Sequence, residues 1–364
     1  MAKCNKYFIK SKYGYGFDPI FCIVVLRVTE KEYFCTGNSG FFIMISRRLL
    51  RIKALMAIYA FNRRDDGDLA HAEKELLFSI GKSYELYHYI LLLLIELADV
   101  AGEKIDLALR KKIPTAEDLN PNRRFADNIL IKQLRDNNEL KKFVSAKKIS
   151  WANNPDIPRT LYNKLLKWPP FIEYMEAEKG SYNADKKIIS KIVTEFFTVS
   201  DDLLSGFEEQ SIFWNDDLDY VAAMIEKTFR KFRNETGYQG SLMPLYRNDD
   251  DEQYVIRLFR KVILRSNECS ELIDHNTTNW EVERIALMDI LVMQLAITEI
   301  IEFPEIPVKV TLNEYIEIAK YYCTSKSSTF VNGILDKVVR EMKEKDIFRK
   351  TGRGLVGDME EDAE

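Results

Sequence analysis

The apolar residues of this chain recur at helical spacing over most of its length. Between Ser46 and about Arg64 they occupy the i, i+3, i+4 and i+7 positions of one helix face, and Ser46 is available as the N-cap. The stripe expected to be buried consists of Ile52, Leu55, Met56 and Tyr59. Further helical patterns continue to about Phe232, separated by proline-containing breaks. The pattern predicts an all-α fold.

Regular helical patterns return after a loop that we predict over residues 237–251. They cover approximately residues 252–273, 280–302, 312–322 and 329–343. Thr311 and Glu314 have the spacing of a capping box, in which the two side chains satisfy each other's backbone amides. This spacing predicts that the third of these helices begins beside Thr311.

The most hydrophobic run of the chain, Tyr89 to Ile95, has to be tested as a membrane segment. Glu96 and Asp99 interrupt it, and it falls far short of the roughly 20 apolar residues that a bilayer requires. We therefore expect a buried core helix here and no membrane contact.

Composition and charge restrict the function classes. The chain has 364 residues with 15 glycines and 10 prolines, too few breakers for a many-turned β-sandwich. Its formal net charge of -4 excludes a globally basic nucleic-acid coat, so phosphate binding would need a local patch. The histidines lie far apart and no two cysteines form a CxxC pair, which disfavours a structural zinc site, although ligands distant in sequence could still meet in space.

Familiar enzyme motifs are absent from the sequence. It contains no GxxxxGK[ST] loop, no GxSxG elbow and no HExxH motif. We therefore expect no catalytic residue, no metal ion and no cofactor. The odd number of cysteines, without a recognisable signal peptide, indicates reduced thiols and a cytoplasmic protein.

The segment from Met44 to Arg64 is strongly basic and contains no acidic residue. Its cations are Arg47, Arg48, Arg51, Lys53, Arg63 and Arg64. The first three arginines fall within an arc of roughly 100° at the start of the helix, where cations oppose the helix dipole. Helix stability does not favour them there, whereas an arginine fork suits a phosphate backbone. The alternative is a solvated face whose alkyl stems cover apolar neighbours.

A second segment, residues 280–337, carries an ordered series of short motifs. They are Trp280 with Arg284-Ile285, Asp289, Glu299, Ile306-Pro307 with Lys309-Val310, Asn313-Glu314 through Ala319-Lys320, and Phe330-Val331-Asn332-Gly333 with Leu335-Asp336. This series resembles the C-terminal half of the NusB family of bacterial transcription antitermination factors. The basic helix with Ala57-Ile58-Tyr59 is similar to the family's N-terminal Arg motif. The resemblance covers roughly residues 46–64 and 252–343.

The resemblance implies a NusB-like helical bundle interrupted by a large, mostly helical insertion. It also implies a non-catalytic adaptor that binds single-stranded boxA-like RNA of ribosomal RNA leaders together with NusE, a small-subunit ribosomal protein, and that acts indirectly on the RNA polymerase elongation complex. Lys326 replaces an acidic residue common in its loop, which favours tighter and less selective phosphate contact. The RNA-binding residues implied are Arg47, Arg48, Arg51, Lys53, Lys326, Phe330 and Asn332, and the partner-binding residues are Tyr59 and Asp289.

Each of these assignments has a structural alternative. Tyr59 also suits the helix core, and Asp289 suits an ordinary surface carboxylate. Phe330 has helical spacing with later apolar residues, so packing is the alternative to stacking on a base. Asn332 could cap or bridge loops locally. Gly333 within a helix costs about 1 kcal/mol against alanine, which favours close approach by a helix or by RNA.

The chain therefore divides into five predicted regions. Residues 1–43 are expected to be a non-native or ill-ordered extension before a native start at Met44, 44–64 the Arg-rich helix, 65–250 the helical insertion, 251–345 the NusB-like C-terminal bundle, and 346–364 an acidic disordered tail. Two other functions stay open. One is a helical protein-interaction scaffold, and the other is an RNA methyltransferase-associated protein, which would need a glycine-rich cofactor loop and a catalytic cysteine.

Overall fold

A computed structural model describes residues 43–356 except 65–66, 215, 236–237, 239, 278–284 and 325. Helices make up 74% of the described residues, and none of those residues is in a strand, which confirms the all-α prediction. The predicted N-terminal extension before residue 43 lies outside the described residues. So do Trp280 and Arg284 of the motif series.

The α-helices of the described ranges are numbered here in chain order. They are α1 (Arg47–Asn62), α2 (Leu69–Leu109), α3 (Ala116–Leu119), α4 (Ile129–Asp136), α5 (Asn138–Lys147), α6 (Asp156–Leu165), α7 (Pro169–Glu176), α8 (Tyr182–Lys191), α9 (Asp201–Gln210), α10 (Leu218–Lys231), α11 (Asp249–Leu264), α12 (Ser266–Asn276), α13 (Leu287–Glu302), α14 (Val308–Tyr322) and α15 (Ser327–Glu344). A π-helical turn, Ile192–Phe196, follows α8, and 3-10 turns occupy Phe197–Val199, Ile212–Trp214 and Gly352–Leu355.

The start of α1 is as predicted, but its buried face is not. The Ser46 hydroxyl accepts a hydrogen bond from the Leu49 amide at 3.3 Å, which confirms the N-cap. Of the predicted stripe, Leu55 is buried, whereas Ile52, Met56 and Tyr59 are half-buried. The buried residues are Leu49, Leu50, Arg51, Lys53, Ala54, Leu55 and Ile58. The face is rotated because α1 packs against α2, α11 and α13, and two of its cations point inward.

The long helix α2 contacts helices from both the NusB-like regions and the predicted insertion. Its 41 residues span about 60 Å, and it packs against α1 and α11 as well as α4, α6 and α10. The apolar run from Tyr89 to Ile95 lies within it and is almost entirely buried, which confirms a core helix. Within the described ranges, no helix combines the length and hydropathy needed to cross a bilayer.

The C-terminal helices assemble around α13. This helix packs against α11, α12, α14, α15 and α1. The predicted capping box at Thr311 is wrong, because α14 begins at Val308, directly after Pro307, and Thr311 lies in its interior. The Thr311 hydroxyl and the Glu314 carboxylate instead bind side chains from other helices, as described below.

Two other boundaries differ from the predictions. The loop ends at Asn248 and not, as predicted, at Asp251. The three aspartates from Asp249 to Asp251 form the first turn of α11, where the helix dipole favours acidic residues. The helix predicted over residues 252–273 is two helices, which meet at Arg265.

Part of the predicted disordered tail is packed against the end of α13. The Lys350 ammonium is buried and donates to the carbonyl oxygens of Ile300 at 2.9 Å and Phe303 at 3.0 Å. The Thr351 amide donates to the Pro304 carbonyl at 3.0 Å. Lys350 and Thr351 therefore attach this segment to carbonyls at and just after the end of α13, and residues 357–364 lie outside the described residues.

Candidate nucleic-acid interface

The basic face of α1 lies against acidic side chains of the C-terminal helices. Arg51 is 3% exposed and Glu299 of α13 is fully buried. Arg51 donates from Nε to Glu299 Oε2 at 2.8 Å and from Nη2 to Oε1 at 2.7 Å. This bidentate geometry is the strongest that an arginine and a carboxylate form, and it joins α1 to α13.

Hydroxyl groups complete the environment of Glu299. Its oxygens also accept hydrogen bonds from Tyr254 at 2.5 Å, Thr311 at 2.8 Å and Tyr315 at 3.1 Å. Burial would raise the pKa of Glu299, but Arg51 and the Tyr254 and Thr311 hydroxyls outweigh burial and lower it overall. The carboxylate is therefore held in its charged form, as a buried ion pair requires.

Arg47 and Arg48 point the same way as Arg51, as the helical spacing predicts. Arg48 donates to both oxygens of Glu314 at 2.9 and 2.8 Å. Arg47 donates from Nε to Asp251 at 3.1 Å, and its guanidinium lies 4.9 Å from the Tyr254 ring centre. The side chains of Arg47 and Arg48 are 40% and 24% exposed. The segment's charge is uncompensated in sequence, but these arginines are paired with carboxylates in the fold.

Lys53 lies on the other flank of α1, where it is also buried. Its ammonium is 2.7 Å from Asp217 Oδ2, which also accepts from the Ser83 hydroxyl of α2 at 2.5 Å. At the end of α1, Arg64 pairs with Glu75 at 2.5 Å, and Arg63 donates to the Tyr59 hydroxyl at 3.2 Å. Charged contacts therefore secure α1 along its length.

The structure places Arg51 and Lys53 inside the protein rather than at its surface. Both side chains are buried with their charges paired inside the protein, so neither presents a donor to solvent. The pattern indicated arginines suited to anions, and the anions that they bind here are carboxylates of the same chain. Arg47 and Arg48 keep partial exposure, and RNA contact by them stays a prediction.

The second group of predicted RNA-binding residues lies at the start of α15. Lys326 is exposed directly before the helix. Phe330 is half-buried and packs against the core, and Asn332 donates to Asp336 at 3.3 Å. Gly333 is exposed, and a Cβ added there would meet nothing within 4 Å. Close approach of another described helix therefore does not explain this glycine, and an approaching RNA stays a prediction.

The two predicted partner-binding residues occupy different environments. Asp289 is 7% exposed and accepts a hydrogen bond from the Ser327 hydroxyl at 2.8 Å. Burial raises the pKa of the Cys323 thiol, and a hydrogen bond to Asp289 raises it further. Asp289 therefore holds the turn that leads into α15. Tyr59 is half-buried on α1, within reach of Arg63.

The acidic and hydroxyl partners of the arginines were not identified from sequence. Glu299 belongs to the motif series, but the series assigns it no role. Its position was an available signal, because a carboxylate in so apolar a helix as α13 needs a buried cation. In the described ranges, no group of three or more His, Cys, Asp or Glu side chains is placed to hold a metal ion.

The fold and the site define an all-α protein in which an N-terminal basic helix is locked by ion pairs onto a C-terminal helical bundle. The model of the NusB family matches residues 216–340. The Transcription antitermination protein NusB of Salinibacter ruber is 39% identical over 115 residues, which cover 32% of this chain and 72% of that relative. The chain belongs to the NusB family.

Two further relatives carry the same name. The protein of Chloroherpeton thalassium is 42% identical over 105 residues, 29% of this chain and 50% of that relative. The protein of Natranaerobius thermophilus is 34% identical over 95 residues, 26% of this chain and 68% of that relative. No solved structure matches the chain.

The family match begins earlier than the boundary predicted from sequence. It starts at residue 216 and takes in α10, which the sequence analysis placed in the insertion ending at residue 250. Helix α10 supports this extension, because Asp217 at its N-cap holds Lys53 of the basic helix.

Proposed function

We propose that this chain is a non-catalytic RNA-binding adaptor in transcription antitermination. It binds single-stranded boxA-like RNA of ribosomal leaders together with a NusE-type ribosomal protein, and acts through that complex on RNA polymerase. The observation that carries the proposal is membership of the NusB family, whose relatives named above are transcription antitermination proteins. The ion pairs of α1 also support the proposal, because they fix its exposed arginines in one geometry before RNA binds.

Arg47, Arg48 and Lys326 are the phosphate contacts in this proposal. Arg47 uses its Nε on Asp251, which leaves the outer N–H groups of a 40% exposed side chain for an anion. Lys326 is exposed beside α15 and has no ion pair to a described carboxylate. Arg51 and Lys53 act indirectly, by holding α1 in place. Phe330 and Asn332 border the same end of α15 and contact a base in this proposal.

The NusE-type partner contacts α1 at Tyr59, whose ring is partly exposed. Asp289 serves as a positioning residue, because its carboxylate fixes Ser327 at the start of α15 rather than facing solvent. A Tyr59→Ala variant should therefore weaken partner binding. An Asp289→Asn variant should disturb RNA binding through the α15 turn.

The test is a fluorescence titration of leader RNA with an Arg47→Gln/Lys326→Gln variant. Loss of two phosphate contacts should weaken binding by about tenfold or more and reduce the salt slope by about 1 to 2. The matched control is Arg110→Gln/Lys112→Gln, which removes two exposed cations at the end of α2. Binding by the Arg47/Lys326 variant equal to that of the parent would show that these residues are not the contacts.

A protein-interaction scaffold is the second candidate, and one observation favours it. Leu107, Ile113 and Leu119, near the end of α2, are 66%, 88% and 56% exposed. Contiguous apolar patches mark docking surfaces, and these three residues would supply one if a partner covers them together. A pull-down with the full chain and a Leu107→Ser/Ile113→Ser variant tests it, and a partner lost from the variant would favour the scaffold.

The methyltransferase alternative needs a cofactor-binding sheet, and the described residues contain no strand.

A further inference from the structure

Two segments outside the basic α1 helix bring positive charge together on one surface. Residues 179–191 and 226–235 contain eight lysines or arginines and three acidic residues, in a chain whose net charge is -4. The first segment includes α8 and the second includes the end of α10, and these helices pack together. We call the exposed and partly exposed side chains of these two segments the α8–α10 surface.

Lys186 ties the two segments into one unit. Its ammonium donates to the carbonyl oxygens of Arg230 at 3.0 Å and Phe232 at 3.1 Å, at the end of α10. Burial lowers the pKa of Lys186, and the two carbonyl oxygens replace water as acceptors for its ammonium. The spacing of the surrounding cations is therefore set by the fold.

The three acidic residues do little to neutralise this surface. Asp185 is buried and turned inward, where it accepts from the Ile129 amide at 2.9 Å and the Tyr174 hydroxyl at 2.7 Å. Glu226 pairs with Arg230 at 2.8 Å, and Glu235 is 3.7 Å from Arg233. Exposed pairs of this kind contribute about 0 to 1 kcal/mol, so a phosphate can replace the carboxylate at small cost.

An open cleft of about 470 Å³ lies on the α8–α10 surface, lined in part by Tyr182, Asn183, Lys186, Arg233 and Asn234. A second opening shares Arg233 with it and is bordered by Arg230, Lys231 and Tyr238. Arg233 therefore borders both openings, which together we call the groove.

The chemistry of the groove fits a single-stranded nucleic acid better than an acidic protein. Cations suit the phosphates, and the Tyr182 and Tyr238 rings offer faces or edges for bases. The exposed amides of Asn183 and Asn234 both donate and accept, which suits base edges. A carboxylate-rich partner would use the cations alone.

We infer that the α8–α10 surface is a second RNA-binding site, which contacts single-stranded transcript beyond the element held at the NusB-like site. The inference rests on the proposed function for the identity of the nucleic acid. It assigns a role to α8, which lies before the family-matched range of residues 216–340.

The test compares two RNAs on the full chain: the leader element alone, of about ten nucleotides, and a transcript of about 40 nucleotides that contains it. The variant is Arg230→Gln/Arg233→Gln, which keeps Lys186 and changes two exposed side chains that border the groove. The longer RNA should bind the variant about tenfold more weakly than it binds the parent, with a salt slope smaller by about 2. The short RNA should bind the variant and the parent equally well. Thermal melting, monitored by circular dichroism, establishes that the variant is folded.

The control variant is Arg110→Gln/Lys112→Gln, which removes two exposed cations at the end of α2. Unchanged binding of the longer RNA to the groove variant, or an equal loss in the control, would overturn the inference. Failure of the proposed function has a different signature: the parent would bind the short leader RNA no better than a scrambled one. The comparison with the longer RNA still tests the groove in that case.

Discussion

At the residue scale, the buried pair of Arg51 and Glu299 is the determinant on which the site depends. The two residues are 248 positions apart in sequence, and both are almost fully buried. Removing one partner of such a pair leaves the other charged and without compensation in a medium of low polarity. The loss therefore far exceeds the value of an exposed ion pair.

We predict that Arg51→Ala lowers the free energy of unfolding by about 3 to 5 kcal/mol, measured by urea denaturation near neutral pH. Arg47→Ala is the matched control on the same helix, because its pair with Asp251 is 40% exposed on the arginine side. It should cost about 1 kcal/mol or less. Equal losses in the two variants would contradict the structural role assigned to Arg51.

A second residue-scale prediction concerns acid stability. His88 on α2 is 2% exposed and stacks on Phe143 of α5 with ring centres 3.7 Å apart. Burial lowers the pKa of His88 to about 4, against an ordinary value of 6.5. The unfolded chain therefore takes up a proton between these pH values before the folded chain does, and stability is lost as pH falls through this range.

His88→Phe keeps the stacked ring and removes the proton site. Between about pH 7.5 and about pH 5, the parent should lose about 1 to 2 kcal/mol of unfolding free energy more than this variant loses. Urea denaturation at both pH values measures the difference. Parallel pH profiles for the parent and the variant would show that His88 does not titrate in this way.

At the element scale, the packed residues after α15 cap the end of α13. A chain ending after Asp346 loses the Lys350 and Thr351 hydrogen bonds to carbonyls at and just after the end of α13 and should lose about 1 to 3 kcal/mol of unfolding free energy. A chain ending after Val356 keeps these bonds and should melt at the parent's temperature. A point variant gives an independent check: Gly354→Ala should destabilise, because its Cβ would overlap the Pro304 carbonyl oxygen. Unchanged melting of the shorter chain would contradict this capping role.

Elements were predicted from sequence where local signals decide them, and missed where distant contacts do. The Ser46 cap and the helix at Tyr89 are local features, and both were predicted correctly. Thr311 and Glu314 matched a capping box by spacing, but partners on α13 and α1 bind them instead. The buried face of α1 was assigned wrongly because it includes Arg51 and Lys53, whose carboxylate partners lie between 164 and 263 positions away.

At the scale of the whole molecule, the net charge of -4 conceals two basic regions with different roles. The cations of α1 largely face carboxylates of the same chain and hold the helix to the C-terminal bundle. On the α8–α10 surface, Arg230 and Arg233 are exposed, and the glutamates that pair with them are themselves 28% and 61% exposed. Sequence could locate the α1 cluster, but it could not separate cations that stabilise the fold from those available to a ligand.

The central claim, that this acidic chain binds leader RNA through local positive charge, is tested most directly by titrating the full chain with leader RNA and with a scrambled RNA over a range of salt concentrations. We predict preferential binding of leader RNA, with the logarithm of affinity falling linearly with the logarithm of salt concentration. Equal affinity for the two RNAs, or binding that does not respond to salt, would contradict the account.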